Sequence, residues 1–587
     1  MAPEESSLRG ELGGAVARHR AGDLDGAVAA YRQLLERNAQ LFDAWRLLGA
    51  ALFSLRRPEE ALEPLGRALW LRPADTACRV LRGEALAALG RAGEAMADLQ
   101  RALEIDPRLA PAWGALGVQQ LGEGEAAQAL ASLDRAISLD PRSPVYWSNL
   151  GLALFALERV EEALECHEKA LELAPQLAPT WANRGKALHA LGRHEEALAS
   201  IDRSLDLHPG LAAGWNSRAA PLRALGRLPE ALAATARSLE LDADASATWS
   251  QRGGLLAESG FAAEAQEALE KAVALEPANR MARFNLGILR LTLGDFPSGW
   301  QGYESRPRLA RGGERLPEWD GSASLEGTRI LVRCEQGLGD AIQFARFVPR
   351  LAERAKRVYL QVPGSLLALF AGLARTVSLV EAGAPDPEAD LRCDLLSLPH
   401  LLGIGWDGLA VPQPFLAPDP DRMAKWTRAA LRAGPQEARI LRIGVAVSGN
   451  PEHENDPFRS IPLERLAHLA GPARQWHLLQ TELRARDEAA AARMGLIDHR
   501  SELRDFADTA ALAACMDAVV SVDTAVAHLA GSLGVPTCVL LPANRDWRWL
   551  LERDDSPWYP GMRLFRQKVL GDWGEAVDRL AAHLSSN

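Results

Sequence analysis

The first half of the chain repeats itself every 34 residues, and this period limits the available folds more than any other feature. Six tryptophans fall on one grid, and Arg79 and Arg283 occupy two further grid points. The tryptophans are Trp45, Trp113, Trp147, Trp181, Trp215 and Trp249. A period of this length is typical of a helix pair that buries its apolar face only against copies of itself. The sequence therefore predicts a stack of helical pairs.

Two further residue types recur on the same grid. Alanine lies sixteen residues after seven grid points, at Ala61, Ala95, Ala129, Ala163, Ala197, Ala231 and Ala265. Proline lies twenty-eight residues after six of them, at Pro73, Pro107, Pro141, Pro175, Pro209 and Pro277. The small residue permits close helix packing, the indole fills the gap between units, and proline ends the second helix. This pattern is typical of the tetratricopeptide repeat.

The repeat pattern predicts about eight units within residues 1–296. A degenerate unit around Ala27 comes first, and the pattern breaks off between Gly294 and Pro297. Stacked units of this kind form a right-handed superhelix with a long concave groove.

An amide-rich row is predicted along that groove, two residues after successive grid points. Its members are Leu47, Leu81, Ala115, Asn149, Asn183, Ser217, Gln251 and Asn285. A carboxamide both donates and accepts hydrogen bonds, so such a row can pair with an extended peptide backbone. We predict that Asn149, Asn183, Gln251 and Asn285 bind an acceptor peptide. The alternative is that they are solvated polar positions. The row resembles the asparagine ladder of the O-GlcNAc transferases, which favours the peptide.

Composition excludes several functional classes. The formal net charge of −11 argues against a general nucleic-acid binder, which needs a basic face. The N-terminus MAPEESSLRG lacks the apolar core of a secretion signal, and no apolar run approaches the ~20 residues of a membrane span. The six cysteines are scattered without a C-x-x-C pair, which indicates reduced thiols. We expect a cytoplasmic protein without membrane insertion, bound metal or permanently bound cofactor.

The second half changes to alternating strand and helix patterns, so the predicted fold class is α + α/β. Residues 297–325 read as a connector, and residues 326–412 as a small doubly wound lobe. Residues 413–436 read as a linker and helix, and residues 437–587 as a second α/β lobe. Two such lobes enclose a cleft.

The stretch from Asp517 to Pro542 predicts a strand, a polar corner, a helix and a further strand. The corner is Asp523-Thr524, and either side chain can cap the following helix. In open α/β sheets this corner binds ligands, and the helix N-terminus faces an anion. His528 lies one turn inside and can point back at the corner. The alternative is an ordinary sheet edge with a capping pair.

Two other loops add polar groups to the predicted cleft. The first lobe has a glycine loop, Glu335–Asp340, in which Gly337 and Gly339 precede Asp340. Asp340 can accept a proton from an attacking hydroxyl, or it can be a helix cap. The second lobe has the Ser448-Gly449-Asn450 corner, Arg459 and Gln480. Without a metal, a departing phosphate needs fixed cations and N–H groups, which Arg459 and the helix at Thr524 can supply. A surface ion pair is the alternative for Arg459.

Three stretches carry a family resemblance: EQGLGDAIQFARFVPRL, SVDTAVAHLAGSLGVPTCVLLP and DWRWLLERDDSPWYPGMRLFRQ. Together they resemble the bacterial tetratricopeptide-repeat glycosyltransferases, whose catalytic half is similar to the ADP-heptose heptosyltransferases. The resemblance implies a metal-independent, inverting GT-B enzyme with Asp340 as general base and His528 beside it. It also implies that Gly337, Gly339, Ser448, Asn450, Arg459, Gln480, Asp523, Thr524, Ala525 and His528 surround the donor. Ala525 stands where that family usually has glycine, and Arg459 where it usually has lysine.

Among these two-part proteins, the chain resembles the alphaproteobacterial flagellin glycosyltransferases. That resemblance implies transfer of a nonulosonic acid, of the pseudaminic or legionaminic type, from a CMP donor to Ser or Thr of flagellin. ADP-, UDP- or GDP-sugars are the other donors considered. Two further functions stay open: a repeat scaffold with an inactive transferase half, and a heptosyltransferase-like enzyme acting on lipopolysaccharide or another glycan.

Overall fold

The computed structural model describes residues 3–308, 316–375, 377–410, 414–432, 440–452, 455–544 and 546–586. The chain divides into two compact units, Met1–Asp244 and Ala245–Asn587. The unit boundary therefore lies inside the predicted repeat region of 1–296, because the last repeats pack with the α/β half. Among the described residues, no helix combines the length and apolarity that a bilayer crossing requires.

The first unit consists of seven consecutive helix pairs within the described residues. Their bounds are α1 Pro3–Arg20, α2 Leu24–Arg37, α3 Phe42–Ser54, α4 Pro58–Leu71, α5 Thr76–Ala88, α6 Ala92–Ile105, α7 Ala110–Gly122, α8 Ala126–Leu139, α9 Pro144–Ala156, α10 Val160–Leu173, α11 Ala178–Ala190, α12 His194–Leu207, α13 Ala212–Ala224 and α14 Leu228–Leu241. The degenerate unit around Ala27 is therefore a complete pair.

Glycine and tryptophan have more specific roles in these pairs than the repeat pattern predicted. A Cβ added to Gly49 would lie 2.5 Å from Leu65 of the facing helix, and the same contact recurs at Gly117 with Leu133. Glycine, as well as the predicted alanine, thus sets the close approach within a pair. The indole N–H of Trp113 donates to the Pro107 carbonyl at 2.9 Å, and four other grid tryptophans do the same six residues back. Each indole therefore fixes the turn between repeats as well as filling a gap.

The second unit begins with two more helix pairs. They are α15 Ser246–Glu258, α16 Ala262–Leu275, α17 Arg280–Thr292 and α18 Phe296–Tyr303. The repeat does not end at Gly294–Pro297, and the stretch predicted as a connector begins with a helix. The side chain of Asp295 accepts from Ser298 N–H and caps α18. A Cβ on Gly302 would lie 2.6 Å from Gly287 Cα, so two glycines allow α18 to cross α17 at backbone contact.

Replacing Gly302 with alanine should destabilise the second unit by about 2 kcal/mol. The added methyl meets the backbone of α17, including the Arg283 carbonyl at 2.7 Å, so the helix must move. The measurement is chemical denaturation followed by tryptophan fluorescence. Gly254→Ala in α15 is the matched control, because its added methyl meets nothing within 4 Å. That control should be neutral or stabilising, and equal effects of the two variants would contradict the argument.

Two parallel sheets form the rest of this unit. The first contains β1 Arg329–Arg333, β2 Arg357–Val362, β3 Val377–Glu381 and β4 Leu391–Asp394, in the order β3-β2-β1-β4. The second contains β5 Leu441–Ala446, β6 Arg474–Leu478, β7 Ala518–Val522, β8 Thr537–Leu541 and β9 Met562–Arg566, in the order β6-β5-β7-β8-β9. Strand β9 lies in the stretch that the sequence analysis treated only as an aromatic tail motif. All these pairings are parallel.

Helices connect and cover these strands. They are α19 Leu338–Phe344, α20 Val348–Ala352, α21 Gly364–Leu367, α22 Leu398–Leu401, α23 Pro420–Arg432, α24 Asp456–Arg459, α25 Glu488–Met494, α26 Phe506–Ala513, α27 Ala525–Ser532 and α28 Gly574–Ser586. The helix predicted after Pro462 is a 3₁₀ segment, Leu463–Leu469. Of the predicted Val411–Pro420 linker, residues 411–413 lie outside the described residues, as do residues 433–439.

An aromatic core joins the last repeat to the α/β half. Trp300 of α18 is buried, donates to the Ile404 carbonyl at 3.0 Å and packs edge-on against Trp547. Phe296 packs against Trp406 and Trp558. Because these rings come from α18 and from both lobes, the last repeat and the two sheets share one hydrophobic core.

Candidate functional site

Both sheets have a switch point, where neighbouring strands lead to connections on opposite sides. In the first sheet it lies between β1 and β4, and in the second between β5 and β7. Ligands of open α/β folds bind outside the carboxyl ends of the strands at such points. The glycine loop follows β1, the Ser448–Arg459 loop follows β5, and Asp523 follows β7. All three predicted loops therefore lie at switch points of the second unit.

The first turns of α19 and α27 contact each other. A Cβ on Gly339 would lie 3.3 Å from His528 Cδ2 and 3.4 Å from Ala525 Cα. Only a residue without a side chain allows this approach without displacing its neighbours. The structure therefore brings the glycine loop of one sheet to the Asp523–His528 corner of the other, as the cleft prediction required. The predicted donor-binding and catalytic roles of these residues stay predictions.

The prediction that Asp523 or Thr524 caps α27 through its side chain is wrong. Thr524 is the N-cap residue, with φ −145° and ψ 172°, but no side chain accepts from the first turn. The Thr524 hydroxyl instead lies 3.2 Å from the Ser521 hydroxyl. The N-terminus of this eight-residue helix therefore lacks an internal cap, which leaves the partial positive charge of its first turn for a ligand or water.

Arg548 is the main cation of the crevice, and the sequence analysis did not single it out. Its guanidinium contacts the Asp340 carboxylate at 2.5 Å and the Asp546 carboxylate at 3.1 Å. It also lies over the Trp547 ring, 4.3 Å from the centroid. Arg548 and Trp547 belong to the quoted stretch DWRWLLERDDSPWYPGMRLFRQ, whose density of rings and charges was the only sequence signal for them. The carboxylate proposed as a base is thus held by a cation from the other lobe.

Asp523 lies close to both arginines of the crevice. Burial, together with the nearby carboxylate of Asp546, raises the pKa of Asp523 to about 6, while Arg548 and Arg459 act in the opposite direction. Its protonation near neutral pH would reduce the negative charge that an anionic ligand meets.

Asp523→Asn should raise the free energy of unfolding by about 2 kcal/mol at pH 8. The folded state binds this proton more tightly than the unfolded chain, so the carboxylate destabilises the fold above pH 6. Between pH 6 and pH 4 the penalty disappears as the carboxyl takes up its proton. Denaturant titrations at pH 8 and pH 4 measure both values. A stability difference that does not shrink at pH 4 would contradict this assignment.

His528 is only 4% exposed, which gives its side chain little access to a ligand. Its Nδ1 lies 3.1 Å from the Tyr559 hydroxyl, and its ring stacks on Trp549 with centroids 5.3 Å apart. Burial, with Arg548 and Arg346 nearby, lowers the pKa of His528 well below its usual value. These contacts favour a neutral imidazole that positions Trp549 and Tyr559, rather than the predicted catalytic group.

The loop after β5 is braced from within. The Gln480 side chain accepts from Val447 N–H at 2.7 Å and donates to the Ser448 hydroxyl at 2.9 Å. Asn450 is exposed, and its Oδ1 accepts from Glu452 N–H at 3.0 Å. The structure therefore gives Gln480 a supporting position, whereas Ser448 and Asn450 stay accessible at the corner.

Arg459 lies against the backbone of Gly449, where a Cβ would meet its guanidinium at 2.6 Å. It donates to the Asp523 carbonyl at 3.4 Å, and its nearest carboxylate is Asp456 at 3.8 Å. The Arg459 Nε is buried without a hydrogen-bond partner among the described atoms. This position joins the two corners of the β5–β7 switch point and suits a residue that binds an anion.

A buried ion network supports the glycine loop from behind. Arg306, which follows α18, contacts Glu335 at 2.8 Å and Glu304 at 2.9 Å. The Glu335 carboxylate also accepts from Leu396 N–H at 3.3 Å. Burial raises the pKa of Glu335 to about 7, against the opposing effect of Arg306. The loop that positions Gly337 and Asp340 is therefore tied directly to the end of the repeats.

The four predicted peptide-binding residues lie on first helices of their pairs and are partly exposed. Asn149 and Asn183 belong to the first unit, and Gln251 and Asn285 to the second. Asn285 donates weakly to the Ser250 hydroxyl at 3.4 Å. The other row member between them, Ser217, donates to the Ala213 carbonyl of its own helix at 2.7 Å. Within the described residues, the amides of Asn149 and Asn183 are available to a ligand.

In the part of the chain that the structure describes, no three His, Cys, Asp or Glu side chains group as metal ligands do.

Comparisons with known proteins agree with the repeat assignment. Models described as tetratricopeptide repeat match residues 12–76, 77–109, 143–210 and 251–299. Protein FlbA of Caulobacter vibrioides (strain ATCC 19089 / CIP 103742 / CB 15) is 28% identical over 339 residues, which cover 52% of this chain and 55% of FlbA. The chain thus spans about half the length of this curated relative.

Solved structures similar to the chain include the APC/C hetero-tetramer Cut9–Hcn1, at 18% identity and a TM-score of 0.40, covering 45% of this chain and 52% of that one. TTC0263, a thermophilic TPR protein of Thermus thermophilus, is 27% identical with a TM-score of 0.29, covering 31% and 99%. The chain therefore contains tetratricopeptide repeats, followed by a region of parallel sheets and helices.

Proposed function

We propose that this chain is a metal-independent glycosyltransferase that moves a sugar from a nucleotide-sugar to Ser or Thr of a polypeptide bound by its repeats. Tetratricopeptide repeats typically bind protein partners. From the sequence resemblance, the acceptor is flagellin, the sugar is a nonulosonic acid carried by CMP, and the reaction takes place in the cytoplasm.

One observation supports the proposal most: a carboxylate, two arginines and an uncapped helix N-terminus surround one crevice. Asp340 begins α19, Arg548 contacts it, and Arg459 lies beside Asp523 at the start of α27. In the proposed reaction Asp340 takes the proton of the acceptor hydroxyl. The arginines and the N–H groups of α27 stabilise the charge that develops on the departing phosphate.

The same crevice also gives a reason to keep the scaffold function as second candidate. Asp340, Asp523 and Asp546 lie near two cations, Arg459 and Arg548, so these five groups are net acidic when all three carboxyls are ionised. An anionic donor must then displace carboxylates from Arg548 or enter with Asp523 protonated. A transferase half that never binds a donor would tolerate this charge balance equally well.

The test is intact mass spectrometry of flagellin from cells with the wild-type chain, without it, and with Asp340→Asn. The proposal predicts a sugar-sized mass increment per modified site with the wild-type chain only. An increment that persists with Asp340→Asn would remove Asp340 from the mechanism. Unmodified flagellin throughout, with a phenotype that Asp340→Asn rescues, would favour the scaffold. An unchanged flagellin mass with an altered lipopolysaccharide mass would favour the glycan enzyme.

A further inference from the structure

The first helices of the pairs in the first unit form a continuous surface. Helix α5 packs on α7, α7 on α9, and α9 on α11. Five residues after four successive grid points lie Glu84, Val118, Leu152 and Lys186, one on each of these helices. We call these four residues the inner row. Their equivalent positions in successive repeats place them in line along one face of the stack.

The middle of the inner row is apolar and open. Val118 is 48% exposed and Leu152 is 36% exposed, although neighbouring positions of the same helices are buried. Tyr146 adds an aromatic surface beside them. Its ring covers Gly114, where a Cβ would lie 2.4 Å from Tyr146 Cε1. Burial, with the charges of Asp140 and Glu84, raises the pKa of Tyr146, which indicates that Glu84 is close to its hydroxyl.

The two ends of the inner row have opposite charges without internal partners. Burial raises the pKa of Glu84 and lowers the pKa of Lys186, because the surrounding protein removes water from both. Neither side chain has an ion pair or hydrogen bond within the described residues. Partly desolvated charges normally have a counter-charge, since the unpaired state costs free energy. A bound partner can supply both counter-charges.

We propose that the first unit binds an extended polypeptide segment with a basic residue against Glu84, two apolar residues against Val118 and Leu152, and an acidic residue against Lys186. Adjacent helices lie ~10 Å apart and an extended chain advances ~3.3 Å per residue, so these residues are about three positions apart. The amides of Asn149 and Asn183 pair with the backbone of the segment. For its biological meaning this inference rests on the proposed function, where the segment belongs to the acceptor.

The test is fluorescence anisotropy of the full chain with labelled peptides of about fifteen residues. One peptide has Lys, Leu, Leu and Glu three positions apart, a second has the reverse order, and a third is scrambled. One of the two ordered peptides should bind at least about tenfold more tightly than the scrambled one. Lys186→Glu should weaken that binding about tenfold, and a peptide with Lys in place of Glu should restore it.

Glu84→Lys should respond in the mirror-image way, with recovery when the peptide's Lys becomes Glu. Glu161→Lys and Lys271→Glu are matched controls, because they make the same charge changes on second helices, α10 and α16. Thermal unfolding of each variant verifies folding. Equal affinity for ordered and scrambled peptides, or failure of the charge-swapped peptide to restore binding, overturns the inference. No sugar donor is present, so this failure is distinct from failure of transfer.

Discussion

Asp340→Asn should reduce the rate of sugar transfer by roughly 10²–10⁴-fold, the usual contribution of a positioned general base. Asparagine keeps the size of the side chain and its place at the start of α19, but it cannot accept the proton of the attacking hydroxyl. The ion pair with Arg548 is also lost, which leaves that guanidinium free to bind the donor phosphate. The apparent affinity for the donor should therefore be unchanged or improved while the maximal rate falls.

The control is Asp295→Asn, another aspartate at a helix start in the same unit. Asp295 caps α18 by accepting from Ser298 N–H, and asparagine performs this role nearly as well. Its transfer rate should match the parent within a factor of two or three. If Asp340→Asn keeps more than about a tenth of the parental rate, Asp340 is not the general base.

Arg548→Ala should destabilise the second unit by about 3 kcal/mol. The substitution leaves the Asp340 and Asp546 carboxylates facing each other and Asp523 without their common cation. It also removes the guanidinium from the face of Trp547. Denaturant unfolding at pH 8, where all three carboxyls are ionised, measures the loss.

A second substitution separates the electrostatic part of this loss from the packing part. Asp340→Asn in the Arg548→Ala background removes one unpaired charge, so it should recover at least about 1 kcal/mol, whereas stacking on Trp547 stays lost. Arg548→Lys keeps a cation but not the forked geometry, and it should lie between parent and alanine variant. An additive double variant would show that the Asp340–Arg548 contact does not contribute.

The sequence alone determined the repeats, because their signals are local and periodic. Tryptophan, alanine and proline at fixed offsets specify a helix pair and its turns before any distant contact forms. The Asp523–His528 corner and the Glu335–Asp340 loop were also readable, since each is a strand end followed by a helix start within a few residues. Their arrival in one crevice followed from the rule that ligand loops lie at the carboxyl ends of parallel strands.

Three predictions failed where a competing partner was not visible in the local sequence. Thr524 pairs with Ser521 instead of capping α27. The repeat continues through α18, because Gly287 and Gly302 let two helices touch at the backbone. Strand β9 was missed because its neighbour β8 completes the evidence for a strand only once the sheet is assembled. In each case a favourable local reading was overridden by a contact with another element.

Only the tertiary structure decided which charges meet. Arg548 reaches Asp340 across 208 residues of chain, and Arg306 reaches Glu335 from the end of the repeats. The neutral state of His528 and the raised pKa of Asp523 depend on burial and on neighbours from other elements. Local sequence specifies which side chains are available at a corner. The strand order then sets the distances between charges and their exclusion from water, and those two quantities determine the chemistry of the site.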